Sequence, residues 1–176
     1  MKYYQSHRKK NKSGFSLLEM VIYVGVVAII SVLAMQSLFV MIRAFTNIRV
    51  MQDLNKSATT AIERMAFEIR SAYDVDTGNS TLGSSPGVLA LLTKDSSGSN
   101  TTAGFSVVSD TLRVSEAGSD AGALTAPNIT VDSLIFNAIT TTNSEAVRIQ
   151  IQLSATRGNT TETKTFYDTI ILRGSY

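Results

Sequence analysis

The chain has 176 residues, no cysteine, no tryptophan, one histidine and a formal net charge of +2. Without cysteine there is no disulfide framework, thiolate zinc site, iron–sulfur cluster or lipidated cysteine. The lone His7 lies in a basic tail, so the rest of the chain lacks the commonest general base of enzymes.

Only 17% of residues are charged, below the roughly 25% of ordinary soluble domains, and the charges are unevenly placed. Residues 1–12 carry Lys2, Arg8, Lys9, Lys10 and Lys12 with no acid, and the stretch from Phe15 to Ile42 carries a single charge, Glu19. That stretch is long enough to span a membrane: a helix needs about 20 apolar residues to cross. At about 1.5 Å per residue it reaches roughly 42 Å against a hydrocarbon core of about 30 Å. The basic tail predicts an N-terminus inside and everything after Arg43 outside; Arg43, Arg49 and Lys56 weaken that bias without reversing it. A secretory signal peptide fits poorly, because the apolar run is about twice the usual 7–15 residues and no small-x-small site ends it. A plain uncleaved anchor remains an alternative, but it gives Glu19 no purpose. A lipid-facing carboxylate costs roughly 2.5–3.5 kcal/mol at mid-bilayer and less near an interface. The partial positive charge of a helix N-terminus compensates in part. A free α-amino group on a neighbouring copy would compensate far better, but only if the chain began at the membrane boundary; cleavage between Gly14 and Phe15 would create that amino group.

The run K-S-G-F-S-L-L-E, from Lys12 to Glu19, resembles the class III leader junction of type IV prepilins and type II secretion pseudopilins. The resemblance implies that a prepilin peptidase cuts after Gly14 on the cytoplasmic face and N-methylates Phe15. It also implies that Glu19, the fifth mature residue, helps the subunit dock into a growing filament. Ser16, Leu17 and Leu18 match the usual context. The implied partners are the peptidase, other pilin or pseudopilin subunits and an inner-membrane assembly platform. The implied location is the cytoplasmic membrane, crossed once, and then the filament.

Beyond Arg43 the pattern turns amphipathic. Ala58, Ile62, Met65, Ile69 and Ala72 recur at 4, 3, 4 and 3, one stripe of a helix that predicts burial against a globular part. Arg49 with Asp53 and Arg64 with Glu68 are opposite charges four apart, worth a few tenths of a kcal/mol each. No proline occurs between Phe15 and Pro86, so one helix from about Phe15 to Tyr73, roughly 88 Å long, is expected. The run ERMAFEIR, Glu63 to Arg70, resembles the helix end of J-type minor pseudopilins.

Asp74 to Gly87 is dense in turn formers and ends the helix. Strands are expected at Val88–Leu92, Phe105–Val108, Thr111–Ser115, Ile129–Ala138 and Thr165–Arg173, and at Val147–Leu153, where apolar and polar residues alternate. Lys94–Gly104, Glu116–Pro127, Thr140–Ser144 and Arg157–Thr161 read as loops. The expected class is α+β, a long N-terminal helix covering an antiparallel sheet, organised as a leader (1–14), a transmembrane or filament-core helix (15–42), an amphipathic continuation (43–73) and a β-rich domain (74–176). Thr165 to Arg173, TFYDTIILR, resembles the last strand of J-type minor pseudopilins.

No phosphate loop or nucleophile elbow is present, and no catalytic residue, cofactor or metal is expected. Asp74-x-Asp76-x-Gly78 only superficially resembles a calcium loop: Gly78, Asn79 and Ser85 stand where a ligand, the glycine and the bidentate glutamate belong. Without residues 1–14 the chain has 11 basic residues against 14 acidic, so direct nucleic-acid binding is not expected. The resemblance points to a minor pseudopilin or pilin-like filament subunit, in a tip or initiation complex. A major pilin, or an uncleaved bitopic surface-binding protein, is the alternative.

Overall fold

The computed structural model describes residues 14, 16–141 and 144–173. One α-helix, α1 (Leu17–Ser71), is followed by eight strands: β1 (Asp74–Val75), β2 (Leu89–Lys94), β3 (Asn100–Val108), β4 (Thr111–Glu116), β5 (Ser119–Ala123), β6 (Ile129–Thr140), β7 (Glu145–Arg157) and β8 (Thr160–Ile171). The chain divides into two compact units, residues 1–44 and 45–176, and α1 contributes to both.

In the first unit the large apolar side chains of α1 are exposed from Leu17 to Ile42. α1 is long and apolar enough to cross a membrane, by length and composition. Leu, Ile, Val and Met need an apolar surrounding; in this unit they have no protein neighbour to provide it.

In the second unit α1 turns one face inward. Val50, Leu54, Ala58, Ala61, Met65 and Ile69 are buried, and Ala72 follows them just past the helix end. The stripe therefore begins two turns earlier than the expected Ala58. Ile62, expected on it, is half-buried at its margin. The helix ends at Ser71, two residues before the expected Tyr73. There Ala72 N–H still donates to Glu68 (3.0 Å), but Tyr73 N–H donates to Leu92 O (3.0 Å), handing the backbone over to the sheet.

The strands form two antiparallel sheets, β1–β2–β3–β4–β5 and β6–β7–β8, where the sequence suggested one. The architecture is the expected α+β class. Leu89, Leu91, Phe105, Leu112 and Val114 from the first sheet and Leu134, Phe136, Ile149, Ile151 and Leu153 from the second share a core with the helix. β2, β4 and β7 bury alternate residues, as a sheet with one wet face requires.

Three differences from expectation have identifiable causes. β5, in the expected loop after Glu116, has the sequence SDAGA with no apolar alternation. It is held by pairing with β4 and by Asp120, which accepts from Arg113 Nε at 2.9 Å. The first halves of β3 and β8 are threonine-rich and polar, so their strand character comes from ladder partners on β2 and β7. β6 buries Ile129 and Val131 but also Leu134 and Phe136, an odd offset. A bulge between Val131 and Ser133 absorbs Asp132 as the extra residue and returns both pairs to the same face.

Candidate functional site

The junction singled out in the sequence lies at the start of α1. Phe15 and the leader up to Ser13 lie outside the described residues. Gly14 is exposed, and no described atom would meet a Cβ placed there. α1 begins at Leu17, with Met20 N–H donating to Ser16 O at 3.2 Å, and Glu19 falls in its first turn. Backbone N–H groups of a first turn lack intrahelical acceptors and carry the positive end of the helix dipole, a local field that favours a carboxylate. Glu19 is half-buried where its neighbours are exposed. One cause is Tyr23, whose hydroxyl donates to Glu19 Oε1 at 2.8 Å. The i, i+4 spacing puts both on one face, and helical side chains lean toward the N-terminus, so the phenol reaches back over the carboxylate. Tyr23 was legible only as a spacing; sequence reasoning missed the bond.

The second unit has other polar constellations. Arg64 pairs with Glu68 at 2.6 Å, as the spacing predicted, and also with Glu116, 52 residues away. Its guanidinium lies 5.8 Å from the centre of the exposed Phe67 ring. Burial raises the pKa of Glu68, Arg64 lowers it, and Glu116 raises it again. The Arg49–Asp53 spacing gives no ion pair; Asp53 instead accepts from Asn128 Nδ2 at 3.3 Å. Beside it Ala126 N–H donates to Ser57 Oγ at 3.4 Å, so in the cleft these residues line Asp53 and Ser57 tie helix to loop.

Asp74 and Asp76 turn their carboxylates onto nearby backbone. Asp74 accepts from Val75 N–H (2.8 Å). Asp76 accepts from the Asn79 side-chain amide (2.7 Å) and from the N–H groups of Gly78 (3.1 Å) and Asn79 (3.2 Å). The Asn79 amide above all holds the Asp76 pKa below the usual carboxylate value. This is an Asx-type turn. Among the described residues no three His, Cys, Asp or Glu side chains gather as a metal-binding group.

Residues 9–35 match the family model described as the prokaryotic N-terminal methylation motif. The match covers the basic stretch from Lys9, the Gly14–Phe15 step, Glu19 and the apolar helix to Met35. No curated protein and no solved structure matches the chain. The motif supports a pilin-type or pseudopilin subunit. It implies processing by a prepilin peptidase and assembly with other pilin subunits, and the proteins that carry it are structural rather than enzymatic. With one helix among the described residues long and apolar enough to cross a membrane, it is consistent with a single-pass membrane-anchored protein.

Proposed function

We propose that this chain is a minor pseudopilin or minor pilin. It inserts with its N-terminus in the cytoplasm, is cut after Gly14, is methylated at Phe15, and enters a short filament or its tip as a J-type subunit. The observation that carries the reading is the methylation motif over residues 9–35, in register with an apolar helix whose first turn holds Glu19. Cleavage at Gly14 places a new amino group four residues before that carboxylate. In a bilayer both charges are expensive when unpaired, so pairing Glu19 with the amine of a neighbouring copy favours one axial stagger over others. The work of the subunit is mechanical: apolar helices associate, and the β domain offers its loops to other subunits. The helix end at Glu63–Arg70 and the run Thr165–Arg173 support the J-type assignment by their resemblance to that subfamily.

Gly14→Ala tests the reading. Gly14 is exposed, is free of close neighbours and does not need a left-handed backbone, so alanine leaves the fold unchanged and any effect arises at the peptidase. The leader should stay attached in cells that contain an active prepilin peptidase, and the chain should be lost from filaments. Assembly at the wild-type level would contradict the proposal.

A further inference from the structure

From Leu17 to Met35 the polar side chains are Glu19, Tyr23 and Ser31. Ser31 donates its hydroxyl to Val27 O at 2.8 Å, the ordinary local solution for a hydroxyl in an apolar helix. Tyr23 directs its hydroxyl to a side chain instead, Glu19 Oε1 at 2.8 Å.

We propose that Tyr23 is a positioning residue for Glu19. Its hydroxyl holds the carboxylate in one orientation while the subunit waits in the bilayer, and presents it to the N-terminal amine of a neighbouring copy. This inference rests on the docking role proposed for Glu19.

The chemistry favours such a helper. An ionised carboxylate is acceptor-only, with two oxygens and about four lone-pair sites. In lipid no water fills them, and each unmet site adds to the cost of carrying the charge. Among the described residues the phenol on Oε1 is the carboxylate's hydrogen-bond partner, which leaves Oε2 and the remaining lone pairs for an incoming ammonium group. Both bonds can therefore exist together, and docking does not require Tyr23 to let go. Glutamate has three rotatable bonds, and a rotamer fixed beforehand lowers the ordering cost of pairing. The position of Tyr23 fits as well. Four residues after Glu19, it leans back toward the helix start, where the neighbour's amine must arrive.

A tyrosine this near the end of an apolar helix has a competing explanation, since aromatic rings anchor helices at the membrane interface. The two roles use different parts of the side chain: an anchor needs the ring, a positioning residue needs the donor. Tyr23→Phe keeps the ring and removes the donor; Tyr23→Gln removes the ring and keeps a donor that can reach one turn back.

The experiment compares wild type, Tyr23→Phe, Tyr23→Gln and Glu19→Gln as full chains in cells with the complete assembly machinery. Subunits are counted in sheared filaments relative to the processed membrane pool, so that insertion and leader removal are normalised out. The expected result is a drop of about tenfold for Tyr23→Phe, on the scale of one hydrogen bond to a charged group, with most of the loss recovered by Tyr23→Gln. Wild-type incorporation of Tyr23→Phe, or a Tyr23→Gln level no better than Tyr23→Phe, overturns the positioning role while Glu19→Gln remains impaired. Normal incorporation of Glu19→Gln removes the docking role itself, and the positioning role with it.

Discussion

Among the described residues, Glu68 is the buried carboxylate of the second unit. Its residue is 8% exposed, and its counter-charge, Arg64, is shared with Glu116. Burial raises its pKa above the usual carboxylate value, only partly opposed by Arg64. A carboxyl whose folded pKa is raised binds its proton more tightly folded than unfolded. Stability therefore falls as pH rises from the ordinary glutamate range through the raised folded value. Glu68→Gln removes that titration. Its melting temperature relative to wild type should climb as pH rises across the window, measured by thermal unfolding of the full chain in detergent; a pH-independent difference would contradict this. The Arg64–Glu68 pair could be read from its spacing, as could the acid at Glu19 from its place in an apolar run. Glu116 could not, because no local pattern links residues 52 apart. The Tyr23 bond was half visible: the i+4 spacing is in the sequence, but a ring at a membrane boundary has other uses.

Element by element, legibility follows apolar alternation. β7 was legible at Val147–Leu153, where buried and wet residues alternate, and the helical stripe through Met65 and Ile69 likewise. β5, β1 and the polar halves of β3 and β8 were not, because their strand character comes from a ladder partner and not from their own side chains. The division into two sheets was also hidden, since no local period says which strands pair at long range. The bulge at Asp132 has the sharpest consequence. Deleting Asp132 forces either Ile129 and Val131 or Leu134 and Phe136 off the buried face. At about 1.5–3 kcal/mol for each large apolar side chain exposed, the deletion should cost about 3–6 kcal/mol, read as a shift in the denaturation midpoint. Asp132→Ala keeps the residue count and loses, among the described residues, the hydrogen bond from Ser154, so it should cost far less. Equal effects from the two changes would mean that parity is not what the bulge protects.

For the molecule as a whole, the two compact units face different surroundings. The first is an apolar helix with its large side chains exposed, stable only where lipid or other apolar helices cover it. The second has a closed core built from one helix face and two sheets. Removing residues 1–14 takes away five basic residues and leaves an acidic balance, so the proposed cut would make the amine and also remove the charge cluster expected to set membrane orientation. In the proposed reading, processing, insertion and docking converge on one peptide bond, Gly14–Phe15. The most direct measurement is the intact mass and N-terminal sequence of the chain extracted from membranes of cells with an active prepilin peptidase. The account predicts a chain that begins at N-methylated Phe15. A chain beginning at residue 1 or 2, with the peptidase shown to be active on another substrate, would contradict it and reduce the apolar helix to a plain anchor.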